Sequence, residues 1–527
     1  MEKSIPLESL SIFKKLIKSF LENSEELKPY LEDYFSFSTL EKSVENKFLS
    51  PNVRNTLSSI LTTQYDGLKI NQKVRDNISL LRDSRTFTVT TGHQLNILSG
   101  PLYVLIKICQ TIALSSDLNK KFPGYNFVPI YWLATEDHDI EEINHVNLFG
   151  KKLDWLTEQK GASGELSTQD LSSLVKEIKD FFKNSEENRT VLDEIDTIYK
   201  ESNSLANAHR KLIHFLIPDS SLVILDPSSK ELKSLFTDHI INELENQVCF
   251  KQISKTASEF KKLGFHVQIK PREICLFYLN TGYRERIEKI DSGFQTADGE
   301  YNWSEKEIHA EVLESPEKFS PNACFRPVYQ EFILPNLVTL GGPGEISYWL
   351  ELKGVFTEFE VDFPALILRN SHVFLSIKES LLMKDYNLSV KDLFDQKEKV
   401  LSLANGKNLD IDWDKYKGTI DDLIINLKSE LNTLGLDVNS SVDVFSKNVQ
   451  KQFGALNSKI LKTSKSKNEV SLRKLSKVLD SVYPNQVLKE RKMNFLELLN
   501  HYSISDLINV LTNIDSSNNS QLIVHIY

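Results

Sequence analysis

The sequence predicts an α/β protein with a parallel-sheet core, lobes inserted into that core, and an antiparallel helical coiled-coil hairpin in its C-terminal part. Three observations predict it. A strand, a glycine-broken loop, an amphipathic helix and a second strand follow one another across residues 87–134. Apolar runs bounded by turn residues recur at 221–227, 337–340 and 365–368. Far downstream, Ile420, Ile424, Leu427, Leu431 and Leu434 follow heptad spacing, and Val442, Phe445, Val449, Phe453, Leu456 and Ile460 keep nearly the same rhythm.

Each element has a local cause. Residues 1–80 are polar and helical in pattern. In the core, assigned to 81–375, Phe87-Thr88-Val89-Thr90 reads as a strand that Gly92-His93-Gln94 interrupts. Gly100-Pro101 then opens a helix with proline in the first turn, where its missing donor is harmless. Pro123-Gly124 turns the chain into the apolar run 127–134. Two strands joined by one helix are expected to be parallel neighbours. Residues 151–203 turn charged and helical, as an insertion would, and 250–320 switch to short strands (266–270 and 274–279), suggesting a second inserted lobe. The helical coiled-coil domain is assigned to 376–482, with a turn at Gly435 and Asp437. A helical segment, 483–527, returns to the core.

Composition narrows the function classes. A 527-residue chain with 40% hydrophobic and 26% charged residues has material for two or three domains. No run approaches a membrane span, and the N-terminal stretch is too charged for a secretory segment. A net charge of −10 argues against nucleic acid as the main partner. The four cysteines, Cys109, Cys249, Cys275 and Cys324, are far apart in sequence and form no CxxC pair. Zinc is therefore not expected, and a reduced, cytoplasmic setting is.

Chemistry concentrates at three places. The run 127–134 ends in Glu136-Asp137-His138-Asp139, with Glu141, Glu142 and His145 behind it. Titratable groups at the carboxyl edge of a sheet sit where ligands bind in open α/β folds. Three roles stay open for them: Asp137, His138, Asp139 and Glu142 holding Mg²⁺ beside a nucleotide, Glu136 or Asp137 acting as a general base toward an amine, or His138 and His145 forming a zinc pair. The bland reading is a solvated loop and an acidic helix start. Gly92-His93-Gln94 offers close backbone approach and a histidine that can donate to a phosphate oxygen, against a histidine that merely caps the next helix. Lys107, on that helix, reads as a solvated side chain. Gly341, Gly342, Gly344 and Glu345 form a second glycine-rich turn, suited to cradling an anion or binding hydroxyls, against a purely structural turn. It matches neither the Walker A nor the dinucleotide fingerprint. Tyr348 and Trp349 read as core. Lys462-Thr463-Ser464-Lys465-Ser466 looks like the KMSKS loop of class I aminoacyl-tRNA synthetases, but its helical setting marks it as coincidence.

Together these islands resemble the cysteine-adding enzymes of bacillithiol biosynthesis, the cysteine ligases of that pathway. The resemblance is carried by residues 91–103 (TGHQLNILSGPLY), 131–145 (YWLATEDHDIEEINH), 320–331 (SPNACFRPVYQE), 339–349 (TLGGPGEISYW), 361–371 (VDFPALILRNS) and 483–499 (YPNQVLKERKMNFLELL). The chain departs from the pattern at Asn96 and Leu98, in a loop where the family often has a second glycine. The resemblance implies a Rossmann-type core similar to class I synthetases and a coiled coil that makes a homodimer. It also implies joining the carboxyl of cysteine to the amine of glucosaminyl-malate. Such chemistry calls for an adenine nucleotide (ATP or ADP), with Mg²⁺ as an option. His93, Glu136 and Asp137 become catalytic candidates. Gly92, His93, Gln94, Gly341, Gly342, Gly344 and Glu345 are nucleotide-binding candidates. His138, Asp139, Arg326, Arg369 and Ser371 are substrate-binding candidates, Arg369-Asn370-Ser371 standing topologically where the synthetase loop would. The alternative is a non-catalytic nucleotide-binding assembly protein whose coiled coil recruits a partner enzyme.

Overall fold

The computed structural model describes residues 4–407, 412–436, 438–467, 469–514 and 520–527. Five strands form the central sheet: β1 (Thr86–His93), β2 (Asn126–Leu133), β3 (Val223–Leu225), β4 (Asn336–Gly341) and β5 (Ala365–Leu368). All pair in parallel, in the order β5-β4-β1-β2-β3. This is the doubly wound order, and its direction reverses between β1 and β4. Helix α1 (Leu102–Lys121) crosses from β1 to β2, and helix α2 (Pro343–Leu350) follows β4.

Helices on both faces explain why these strands are near-continuous apolar runs. Alternation sends Phe87, Val89, Phe127 and Val338 to one face, against Leu114, Leu118 and Phe122. Val128 and Ile130 face the other, larger core. Between β1 and β4 the packing is polar and paired: the Thr88 and Thr90 hydroxyls donate to Asn336 Oδ1 (3.0 and 2.7 Å), and Asn336 Nδ2 donates to Glu331 (2.8 Å). A one-residue slip of β1 against β4 would break both Thr–Asn336 bonds, so the network fixes the register.

The insertions differ in kind. Residues 151–203 supply a strand, Lys151–Asp154, paired with His145–Leu148, and the helices Leu171–Lys179 and Glu186–Lys200. The second lobe is a five-stranded antiparallel sheet whose first strand, Leu276–Asn280, pairs with its last, Phe319–Pro321. Residues 266–270, expected as a strand, form none; that stretch is anchored instead by backbone amides of Gln268 and Ile269 donating to the buried Glu351 carboxylate.

The C-terminal part contains the expected hairpin, Trp413–Thr433 and Asn439–Lys467. Its first helix ends in a Schellman motif: Gly435 takes the left-handed conformation (φ 69°), Leu436 N–H donates to Leu431 O, and Gly435 N–H to Asn432 O. Asp437 lies outside the described residues. Residues 462–466 belong to the second helix, where the Thr463 hydroxyl bonds back to Lys459 O. A third helix, Glu469–Val482, packs on Lys397–Lys407 rather than continuing the hairpin.

The returning segment is not wholly helical. It ends in a strand, Gln521–Ile526, lying between Ser4–Pro6 and Ser371–Leu375. On the way it delivers Glu490, whose carboxylate accepts from Arg369 (2.6 Å) and from the His372 amide (2.7 Å); the Arg369 and Glu490 side chains are 3% and 0% exposed. Removing one partner of such a pair strands a buried charge. Glu490→Ala is accordingly expected to destabilise the protein by about 3–5 kcal/mol, read as a lower midpoint in urea unfolding. A variant within 1 kcal/mol, on the order of a surface substitution, would contradict a buried charge pair here.

Candidate active site

The carboxyl ends of β1, β2 and β4 lie side by side at the point where strand order reverses, with His93 opposite Leu133 and Thr90 opposite Thr339. At that switch point α1 and α2 face each other and exchange one ion pair. Lys107 Nζ donates to both Glu345 oxygens (2.9 and 2.8 Å) and to Gly92 O (2.6 Å). Its side chain is 1% exposed, whereas Glu345 is 31% exposed and reaches the cleft. Glu345 Oε2 also accepts the Gly342 amide (2.7 Å), capping its own helix. Burial pushes the Lys107 ammonium below its usual range, Arg369 and Arg326 push the same way, and Glu345 pulls it back. Burial works against the Glu345 carboxylate too, but Lys107 and the Gly342 amide outweigh it and hold its pKa low. Lys107 is thus a buried structural cation and not the solvated side chain its helical position suggested. Glu345 is already engaged.

His93 is fixed at both ring nitrogens. Nδ1 lies 3.2 Å from Gln94 O, and because a carbonyl only accepts, Nδ1 carries the proton. Nε2 is then the acceptor for the Tyr103 hydroxyl at 2.6 Å. Burial, then the Lys107 charge, lowers the His93 pKa to about 4, so the ring is neutral at pH 7. In this arrangement Nε2 takes a proton from Tyr103 instead of offering one to a phosphate, and donation requires the other tautomer.

The loop after His93 is strained and held from outside. Leu98 adopts φ 53°, ψ 39°, a left-handed conformation costing roughly 1–2 kcal/mol for an L residue. Its amide donates to Tyr199 OH (2.7 Å), its side chain is fully buried, and Asn494 Nδ2 donates to Leu98 O and Gly100 O (2.9 and 2.7 Å).

One strand over, Gln94 Nε2 bridges Asp137 Oδ2 (2.7 Å) and Glu142 Oε2 (2.6 Å), tying the glycine loop to the acidic strand end. Asp137 Oδ1 accepts the His138 amide (2.8 Å) and lies 4.0 Å from Arg284. Arg284 comes from the inserted antiparallel lobe, is 7% exposed, stacks on Phe277 at 3.8 Å and contacts His138 Nδ1. Burial and the Arg284 charge lower the His138 pKa. Glu136 turns inward to Lys233 (2.7 Å), a fully buried lysine that also bonds to Phe319 O. A carboxylate paired this way is poorly placed as a free base. Asp139 and Glu141 are exposed.

The remaining candidates divide. Arg326 is half-buried at the cleft, bonded to Gln330 (2.9 Å) and Tyr348 OH (3.3 Å) and packed on Trp132. Gly341 ends β4, its carbonyl accepting the Arg369 amide (2.8 Å), and Gly344 is exposed. Arg369, committed to Glu490, and Ser371, buried in the terminal sheet, are not free cleft groups as their place after a core strand suggested. Trp349 is core; Tyr348 is only partly buried. No three of Asp137, His138, Asp139 and Glu142 bring ligand atoms within 4.8 Å of one another, so the acidic cluster is no preformed Mg²⁺ cage. Nor do His138 and His145 meet a third such ligand there. The cysteines overturn their sequence spacing: Cys249 and Cys275 meet beside Glu243, with Cys324 close to Cys275. Sequence reasoning missed Tyr103, Lys233 and Arg284. Only Tyr103, inside the 91–103 motif, carried a signal.

A doubly wound sheet with a polar, partly cationic cleft at its switch point, joined to a coiled-coil domain, defines a Rossmann-type α/β protein with a helical appendage. Among the described residues no helix is long and apolar enough to cross a membrane. Residues 2–370 match the family description "Bacillithiol biosynthesis BshC, N-terminal Rossmann-like domain", and residues 373–526 match "Bacillithiol biosynthesis BshC, C-terminal coiled-coil domain". The chain belongs to the BshC family. Relatives named "Putative cysteine ligase BshC" include one from Flavobacterium psychrophilum, 38% identical over 492 residues (92% of each chain). Those from Flavobacterium johnsoniae and Christiangramia forsetii are 36% identical over 499 residues (94% of each) and 35% over 511 (95% of this chain, 94% of the relative).

The neutral, buried His93 has a pH consequence. Its folded pKa of about 4 lies below the ordinary 6.5, so between those values the unfolded chain binds a proton that the folded chain refuses. Stability is therefore full above 6.5 and is lost as pH falls toward 4, by about 1.4 kcal/mol per pH unit for one such group. His93→Gln should flatten that slope in denaturant titrations from pH 7 to 4. An unchanged slope would count against a neutral His93.

Proposed function

We propose that the chain joins the carboxyl group of cysteine to the amine of glucosaminyl-malate, after an adenine nucleotide activates the carboxyl group. The observation that carries this reading is the adjacency, at one switch point, of a neutral imidazole–phenol pair (His93–Tyr103) and a carboxylate held for work at the cleft (Asp137). The names of the relatives support cysteine as substrate.

A cysteine carboxylate oxygen attacks the α-phosphorus of the nucleotide, the α–β phosphoanhydride bond breaks, and pyrophosphate (from ATP) or phosphate (from ADP) leaves, giving an acyl-adenylate. The amine nitrogen then attacks the carbonyl carbon, the carbon–oxygen bond to phosphate breaks, and the amine proton passes to Asp137. Gln94 and the His138 amide orient Asp137 for that transfer. Gly92 to Gln94 line the phosphate edge, with the Tyr103 hydroxyl and the Lys107–Glu345 pair behind it. Arg326 and Arg284 offer positive charge to the carboxylates of the malate moiety. Magnesium belongs in this scheme to the nucleotide and not to a protein cage.

Incubating the purified chain with cysteine, glucosaminyl-malate and either ATP or ADP should give the amide by mass spectrometry. Asp137→Asn should lower turnover by about 10²-fold or more, the ordinary worth of a general base, while Glu141→Gln leaves it near wild type. Equal losses would reject Asp137 as the base. Amide formation only with an added cell fraction would favour the scaffold reading.

We further propose that the hairpin pairs two copies of the chain. Ile424 and Val442 are buried between its helices, but Leu423, Ile425, Val444, Phe445 and Leu456 are more than half exposed. Covering each large apolar group is worth roughly 1.5–3 kcal/mol, and a two-fold arrangement covers the same patch on both copies. Sedimentation velocity at micromolar concentration should show a dimer. Leu423→Glu with Phe445→Glu should give a folded monomer, and a monomeric wild type would sink the idea.

A further inference from the structure

Four buried side chains meet at the neck of the inserted antiparallel lobe, away from the switch-point cleft. Glu243 comes from the helix Thr237–Asn246, and Cys249 from the first turn of the next helix, Val248–Lys262. Between them Gln247 takes a left-handed conformation (φ 52°), and this bend turns the Glu243 carboxylate and the Cys249 thiol toward one point. Cys275 immediately precedes the lobe's first strand, and Cys324 follows its last strand by three positions. The carboxylate oxygen and the thiols of Cys249 and Cys275 lie within 4.8 Å of one another. The Cys324 thiol is near enough to act electrostatically on both Cys275 and Glu243. Exposures are 0% for Glu243, Cys249 and Cys275 and 5% for Cys324.

We infer that Cys249, Cys275, Cys324 and Glu243 form a tetrahedral structural site for zinc that fastens the base of the lobe. The ligand chemistry suits zinc: three thiolates and one carboxylate make four donors, with bonds of about 2.3 Å to sulfur and 2.0–2.2 Å to oxygen. Donors at those lengths stand just under 4 Å apart, roughly, and the Glu243, Cys249 and Cys275 ligand atoms lie within 4.8 Å of one another, with Cys324 beside them as the fourth donor. The outer layer suits it as well. The Cys249 amide donates to Glu243 Oε2 (3.0 Å) and the Cys275 amide to Oε1 (3.2 Å), fixing the carboxylate while each oxygen keeps a lone pair. Asn322 Oδ1 takes the Cys324 amide (2.9 Å), and Asn322 N–H donates to Cys275 O (3.0 Å), locking the two ends of the lobe together. Among the described residues no lysine, arginine or histidine side chain forms a salt bridge or hydrogen bond with any of the four; Arg272 meets the Cys275 thiol only through its backbone carbonyl (3.7 Å). A buried carboxylate with no cation partner is costly to charge, and a divalent ion supplies the missing positive charge. Loading releases the thiol protons to solvent, with no change of oxidation state.

The site does not depend on the proposed reaction. Its role is to hold the lobe that carries Arg284 to the cleft.

The full chain, purified under reducing conditions without chelator, should contain about one zinc per chain by elemental analysis. Stripped protein titrated with Co²⁺ should develop the visible bands of tetrahedral cobalt–thiolate coordination, and zinc should abolish them. Cys275→Ser should lose those bands, while Cys109→Ser, at a buried cysteine outside the cluster, should keep them. Cys249, Cys275 and Cys324 should resist alkylation until the metal is removed. Folded wild-type protein that lacks zinc and gives no bands with Co²⁺ overturns the inference, as does a disulfide among these cysteines in that preparation.

Discussion

Everything at the cleft rests on one charge placed where water cannot reach it. Lys107 is buried at the reversal of strand order, and its ammonium is satisfied only by Gly92 O and Glu345. Losing either partner would leave a buried cation that costs several kcal/mol. That demand sets the distance between α1 and α2, and so the width of the crevice. It makes Glu345 a cap for its own helix, and its charge adds to burial, the larger cause, in keeping His93 neutral. The glycine loop and the glycine turn, far apart in sequence, are therefore two halves of one device.

A second tier of contacts fixes this device from outside the sheet. Asn494 holds the strained loop after His93, Glu490 holds Arg369, and Arg284 reaches Asp137 and His138 from the inserted lobe. Each comes from a segment that a βαβ diagram omits. The cleft is assembled by three separate stretches of chain, and the core strands supply only its floor.

What could be read from the sequence was what periodicity and punctuation encode. The β1–α1–β2 unit showed because Phe87-Thr88-Val89 and the Pro101 helix start obey local rules, and the acidic cluster showed because it ends an apolar run. The hairpin seam showed because Ile424 and Val442 recur at heptad spacing. Pairings across long separations stayed hidden. Nothing in residues 102–121 distinguishes Lys107 from a surface lysine, since its partner lies 238 positions away. The cysteines, too, read as scattered because their convergence depends on how an inserted lobe begins and ends. The terminal strand Gln521–Ile526 departs from the helical segment expected there, because both its partners, Ser4–Pro6 and Ser371–Leu375, are distant in sequence and a short strand carries little periodic signal of its own.

The Arg369–Glu490 pair also bears on how the protein is made. The two residues are 121 positions apart, with the whole coiled-coil hairpin between them. At bacterial synthesis rates of roughly 5–20 residues per second, the guanidinium emerges from the ribosome on the order of ten seconds before its carboxylate. During that interval the strand Ser371–Leu375, which follows β5 and lies in the separate three-stranded sheet, has neither the Glu490 counter-charge beside it nor its partner strand Gln521–Ile526. The hairpin is thus translated as a parenthesis between two strands that must later pair.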